Sequence, residues 1–165
     1  MSGADRPPLD AEELLRRITR RGVDFVVVGG IAAVLHGSAR ATFDLDIAFA
    51  ADDANLHALG DVLTDLRARL KGVGEDVPFV PDAATLRRIS VLTMVTPLGE
   101  IDVMTRPAGA PAFTTLRRRA DRYDLGDFTI SVASIDDLIA MKQAAGRPKD
   151  LADVVELEAI ARLRR

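Results

Sequence analysis

Residues 43–50 read Phe-Asp-Leu-Asp-Ile-Ala-Phe-Ala, so that Phe43, Leu45, Ile47 and Phe49 alternate with Asp44, Asp46, Ala48 and Ala50. Successive side chains of a strand point to opposite faces, and a period of two therefore specifies a β-strand with one apolar face. Its other face carries two carboxylates side by side. Val23 to Val28 (Val-Asp-Phe-Val-Val-Val) is a nearly continuous β-branched and aromatic run, the pattern of a central buried strand. Gly29-Gly30 follows it directly and leads into a short helix, Ile31 to Leu35, closed near Gly37. The strand–Gly-Gly–helix element thus precedes the acid-bearing strand within one unit.

The remaining sequence supplies the other layers. Asp10 with Glu13 resembles a capping box opening a helix with Leu14, Leu15 and Ile18 on one side. Residues 53–70 are expected to form the longest helix, ended by Gly72-Val73-Gly74, with 75–81 an extended passage. Ile89 to Thr96 and Glu100 to Thr105 predict a strand pair joined by a Pro97–Gly99 turn, and 106–112 a loop. Asp121 to Leu125 and Phe128 to Val132 predict a second hairpin around Gly126-Asp127. Ser134 caps a helix running through Ala145, Gly146 stops it, and Pro148 starts the last one. No repeat or composition shift divides the chain, so 1–165 is expected to be a single domain with 1–8 as a loose tail.

Of the 165 residues, 48% are hydrophobic and 28% charged, an ordinary globular balance with enough apolar material for a core. A net charge of −3 argues against a generally cationic surface and leaves room for a local one. The arginine clusters at Arg16/Arg17/Arg20/Arg21, Arg117–Arg119 and Arg162/Arg164/Arg165 are expected to be solvated helix faces. There is no cysteine, which excludes disulfides, thiolate catalysis and cysteine-ligated metal centres. The first residues lack the apolar core of a secretory signal, and no apolar run approaches the ~20 residues of a membrane span. A cytoplasmic location without membrane contact is the expectation.

The chemistry is carried by three short segments. Asp102, in Gly99-Glu100-Ile101-Asp102-Val103, could converge from a neighbouring strand with Asp44 and Asp46 on a divalent cation. Magnesium is hard, prefers oxygen ligands, and suits carboxylates whose spacing is fixed by strands. Two such ions, with manganese as a substitute, could grip both sides of a displacement at phosphorus. Asp44 and Asp46 would hold the metals bridging a nucleotide's phosphates, and Asp102 would complete the second site, where an acceptor hydroxyl loses its proton. Glu100 shares the predicted face of Asp102 as a weaker candidate.

Gly29 and Gly30 allow close backbone approach, and the helix they open offers free amides to a phosphate. They fit neither the P-loop nor Gly-x-Gly-x-x-Gly. His36 is expected to make local hydrogen bonds at a helix end. Arg40 could reach phosphate or pin the acid-bearing strand through an ion pair. Lys142 continues the apolar stripe of Ile135, Leu138 and Ile139, where it must snorkel or find an anion such as a triphosphate, and Arg147 could act likewise. Asp150, just after Pro148, is expected to cap the last helix and orient Lys142 or Arg147.

Gly29-Gly30 with Asp44-x-Asp46, Ile101-Asp102, and Lys142-x4-Arg147-x-Lys149-Asp150-x-x-Asp153 resemble, in order, the motifs of the DNA-polymerase-β-like nucleotidyltransferase superfamily. More narrowly they resemble the bacterial AbiEii-type and stand-alone nucleotidyltransferase-like proteins, over about residues 22–157. The resemblance implies an α/β (α+β) core, a mixed β-sheet flanked by helices with C-terminal helices packed on it. It implies magnesium, a nucleoside triphosphate donor and an acceptor hydroxyl. In the toxins of that group the acceptor can be the 3′ end of tRNA, with a cognate antitoxin as partner; other relatives modify proteins or small molecules. The implied site comprises Asp44, Asp46, Asp102 and Lys142, with Gly29, Gly30, Arg40 and Arg147 on the nucleotide. A non-catalytic nucleotide-binding subunit of the same fold, working in a protein complex, is the alternative expectation.

Overall fold

Val27 and Ile47 lie opposite one another at the centre of the sheet, where the valine run and the alternating segment pair as antiparallel strands β1 (Phe25–Val28) and β2 (Asp44–Phe49). The computed structural model describes residues 6–74 and 77–165. On the far side of β2, β5 (Gly99–Met104) runs parallel to it, followed outward by antiparallel β4 (Val91–Thr96) and β3 (Arg69–Leu70). On the far side of β1, β7 (Thr129–Val132) is parallel and β6 (Asp121–Asp124) closes that edge. The result is a mixed seven-stranded sheet of order β3-β4-β5-β2-β1-β7-β6. This is the mixed α/β class expected.

One face of the sheet is apolar because the alternation puts Leu45, Ile47, Ile101, Val103 and Met94 there, all fully buried. They share a core with Leu14 and Ile18 of α1 (Ala11–Arg20), Leu56, Leu59 and Leu63 of α3 (Asp53–Asp65), and Leu86 of α4 (Ala83–Arg88). Each such side chain contributes roughly 1.5–3 kcal/mol on burial, which is what holds these modest helices in place. The opposite face carries Asp44 and Asp46. Over it, α2 (Gly29–Leu35) packs on β1 and β2, α6 (Ile135–Ala145) packs on α2, and α7 (Pro148–Leu163) packs on α6. α5 (Phe113–Arg119) leads into the β6–β7 hairpin.

Helix ends follow the residues that dictate them. Asp10 accepts from the Glu13 amide at 3.1 Å and Ser134 from the Asp137 amide at 3.1 Å. Gly146 closes α6 with φ +66°, and Pro148 occupies the first turn of α7.

The helix expected over 53–70 is a correction. It ends at Asp65, and the 16-residue α7 is longer than its 13 residues. Arg67 takes φ +56°; its amide donates to the Thr64 carbonyl and that of Ala68 to the Leu63 carbonyl, both at 3.0 Å. That paired closure is the one helices usually make with glycine, and it turns the chain into edge strand β3. The apolar spacing continues through Leu66 and Leu70, so periodicity alone runs past the break. α4, capped by Asp82 on the Thr85 amide at 2.8 Å, is a helix the sequence reading lacked, and α5 is the helix whose last turn carries Arg117–Arg119. Of the expected extended passage 75–81, Glu75 and Asp76 lie outside the described residues, and Val77 to Pro81 form no regular element. The first five residues of the expected tail are likewise not described.

Candidate active site

The site is built where β1 ends. Val28 pairs with Asp46, and the chain turns at once into α2 with Gly29 at φ +68°. A Cβ on Gly29 would stand 2.0 Å from an Asp46 carboxylate oxygen, and one on Gly30 would stand 2.5 Å from the Thr42 hydroxyl. Both glycines are therefore demanded by the chain's own neighbouring side chains, and Gly29 also by its left-handed backbone.

Register brings the third acid in. Asp46 pairs with Asp102 across the β2–β5 ladder, so both carboxylates rise from the same face, with Asp44 one pleat away. One oxygen from each of Asp44, Asp46 and Asp102 lies within 4.8 Å of the others. Oδ1 of Asp46 and Oδ1 of Asp102 are buried without a hydrogen-bond partner among the described residues. Burial, then the charges of Asp44 and Asp102, push the Asp46 carboxyl up to about 8. Burial likewise pushes Asp102 up, with the Asp44 charge adding to it. Carboxylates crowded and left unsatisfied in this way fit a hard divalent cation, whose charge reverses the penalty each acid imposes on the others.

Facing the acids is a wall of cations from α6 and α7. Lys142 places Nζ 3.0 Å from Asp153 and 3.6 Å from Asp150. Arg147 binds Asp150 through Nε at 2.6 Å while its side chain stays 61% exposed. Arg40 reaches Asp153 at 2.5 Å and the Lys149 carbonyl at 3.1 Å. Together with Gly29, Gly30 and the three aspartates, Arg40, Lys142, Arg147 and Lys149 line a cavity of about 610 Å³. The eight residues expected at the site thus come together in one cleft. A polyanion entering it would meet these cations on one side and the acids, with the α2 turn beside them, on the other.

Several expectations are revised here. Lys142 does find anions at the end of its stripe, and they are Asp153 and Asp150 of the chain itself. Arg40 does not pin the acid-bearing strand; it ties the preceding loop to α7. Glu100 shares the face of Asp102 but stands outside the three-acid cluster, buried between Lys71 at 3.1 Å and Arg6 at 3.2 Å. His36 sits at the end of α2 as expected, yet its partners are remote rather than local. Its Nε2 is 2.8 Å from the Ala133 carbonyl, and its Nδ1 receives Arg164 at 2.9 Å and Tyr123 at 3.2 Å. Asp150 is fully buried and accepts from the Arg147 amide at 3.2 Å, the expected cap.

Asp153 is the residue whose part the sequence reading missed. It accepts from both Lys142 and Arg40, and these contacts outweigh its burial to hold its carboxyl below the usual range. Its spacing of three from Asp150, on one face of a helix opposite a basic segment, was the available signal.

The fold and the family agree with this geometry. The chain is similar to the lincosamide antibiotic adenylyltransferase LnuA in its lincomycin-bound crystal structure, with 17% identity and a TM-score of 0.62 over 93% of this chain and 99% of that one. It is also similar to ANT(2″)-Ia in complex with adenylyl-2″-tobramycin, with 14% identity and a TM-score of 0.53 over 90% of this chain and 91% of that one. At such identities these likenesses show the fold alone. No curated protein matches the sequence. Among the described residues no helix is long and apolar enough to cross a membrane. Residues 13–163 match the model of the family described as nucleotidyl transferase AbiEii toxin, type IV TA system, and the chain belongs to that family of nucleotidyltransferases.

Proposed function

We propose that this nucleotidyltransferase uses magnesium to move a nucleoside monophosphate from a nucleoside triphosphate to an acceptor hydroxyl, the acceptor being the 3′ end of tRNA. The observation that carries this reading is the cluster of Asp44, Asp46 and Asp102 within 4.8 Å, opening on a cleft whose other wall is cationic. Magnesium held by those carboxylates, two ions or manganese in their place, would neutralise phosphate charge and acidify the acceptor hydroxyl. Gly29 and Gly30 would let the α2 amides approach the triphosphate, and Lys142, Arg147 and Arg40 would hold its charge. The acceptor oxygen bonds to the α-phosphorus as the bond to pyrophosphate breaks, and Asp102 takes the acceptor's proton. Lys142 and Arg40 would exchange Asp153 for phosphate oxygens when the nucleotide enters. On this reading the whole chain works as one domain in the cytoplasm, within a toxin–antitoxin pair.

The family match and the donor chemistry of adenylyltransferases of the same fold support transfer of a nucleotide; the acceptor is the finer part of the proposal. The test is incubation of the protein with each labelled nucleoside triphosphate, magnesium, and either total tRNA or cell lysate. We expect label on tRNA, lost in Asp44→Ala/Asp46→Ala. Equal labelling by that variant would overturn the proposal, and label only on protein would overturn the tRNA acceptor. Tight nucleotide binding with no turnover on any acceptor would favour a non-catalytic subunit.

A further inference from the structure

Arg40, Lys142, Arg147 and Lys149 share their wall of the cleft with two carboxylates of α7, Asp150 and Asp153. The two acids are held in different ways. Asp150 is fully buried, caps α7 through the Arg147 amide at 3.2 Å, and is gripped by the Arg147 side chain at 2.6 and 3.2 Å. Moving it would leave a helix end unsatisfied. Asp153, three residues on, is held among the described residues by side chains alone, Lys142 at 3.0 Å and Arg40 at 2.5 Å. Each of those cations has a second partner that does not depend on Asp153. Lys142 has Asp150 at 3.6 Å, and Arg40 has the Lys149 carbonyl at 3.1 Å. Without the Asp153 carboxylate both cations would therefore stay aimed into the cleft, short of one negative charge.

We infer that Asp153 is a resident stand-in for substrate phosphate: its carboxylate neutralises Lys142 and Arg40 in the unliganded protein, lowers the affinity for any polyphosphate that must displace it, and returns to them as pyrophosphate departs. The sign follows from what is exchanged. A phosphate oxygen reaching Lys142 or Arg40 replaces a contact the cation already has, so it gains less than it would from an unpaired cation. Burial alone would push the Asp153 carboxyl up, and its bonds to Lys142 and Arg40 hold it below the usual range, so displacing it gives up contacts that favour its charge. A ligand carrying several anionic groups on one chain offsets that cost by engaging both cations and Arg147 together. An isolated anion brings no such surplus, and Asp153 keeps it out. A carboxylate that served only to position the two cations would act with the opposite sign, since its loss would disorder them and weaken phosphate binding. Asp150, fixed by a backbone cap, is built for that second role.

The inference rests on the proposed function only in taking a polyphosphate as the ligand of the cleft, and it is read by binding without turnover. The experiment is calorimetric titration of the full chain with inorganic tripolyphosphate, and separately with pyrophosphate, in magnesium. Asp153→Asn removes the charge and keeps the shape; Asp153→Ala removes the side chain at a position where alanine suits the helix, and thermal melting reports the fold of each. We expect both ligands to bind roughly three- to thirtyfold more tightly to these variants than to the parent, the worth of two partly exposed ion pairs. Asp153→Glu, which keeps the charge, should stay near the parent, and Asp150→Ala should bind more weakly. Unchanged or weaker binding by both uncharged variants, or an equal gain in Asp153→Glu, would overturn the inference. Tighter binding by the variants of a protein that labels no acceptor would uphold the stand-in and overturn the transfer reading instead.

Discussion

At the scale of single residues the site is a set of mutual exclusions. Gly29 is bare because Asp46 fills the space its side chain would need, and Asp46 is placed because Val28 fixes its register. Gly29→Ala must therefore displace the Asp46 carboxylate and also hold alanine at φ +68°. The backbone part alone costs roughly 1–2 kcal/mol. We expect a lower melting temperature and loss of nucleotide transfer as complete as in Asp46→Ala, measured by thermal unfolding and label incorporation. Retained transfer would show that Asp46 can move without consequence. Asp44 and Asp46 were legible from alternation alone, because a strand reports its faces directly. The partners of Asp153 and Glu100 were not, since they depend on which elements pack together: Lys142 and Arg40 on one, Lys71 and Arg6 on the other.

At the scale of elements, α7 ties the cleft to the far end of α2. Its first turn holds Asp150 and Asp153 against Lys142, Arg147 and Arg40. At its end, Arg164 donates to the His36 carbonyl at 2.8 Å and to the His36 ring, closing the C-terminus of α2. Asp150→Ala removes a buried cap and the anion beside two cations, one of which, Arg147, is exposed enough to be solvated instead. We expect a loss on the order of 1–2 kcal/mol in denaturant unfolding, with nucleotide binding weakened through Lys142 and Arg147. Arg164→Ala should cost about 1 kcal/mol without changing transfer by the folded protein. A large loss of transfer would mean that this clasp sets the phosphate turn. The helices with strong local signals, at Ser134, Gly146 and Pro148, were readable to the residue. The end of α3 was not, because its closing position holds arginine in place of glycine.

At the scale of the whole molecule, order in the chain predicted class and site better than topology. Two hairpins and a glycine turn were visible, whereas the parallel pairing of β2 with β5, which unites the three acids, joins segments more than fifty residues apart and has no local signature. That pairing makes global stability depend on the acids. The Asp46 carboxyl is raised from an ordinary 3.8 to about 8 by burial first and by its acidic neighbours second. Without metal, the folded protein then binds protons that the unfolded chain releases between those values, so stability must fall as pH rises from about 4 to about 8. Asp46 alone gives a slope of at most about 1.4 kcal/mol per pH unit, and Asp102, also pushed up by burial, adds to it in the same direction. Asp150 and Asp153, whose carboxyls are held low, are fully ionised in both states over the upper part of that range and add no slope there. In EDTA we therefore expect the melting temperature to drop from pH 5 to pH 8. Asp46→Asn should flatten that dependence, and magnesium should restore stability most at the alkaline end, where the acids are free to bind it. A metal-free protein equally stable at both pH values would mean that water and local relaxation already satisfy the three carboxylates, and the case for a cation between them would lose its physical basis.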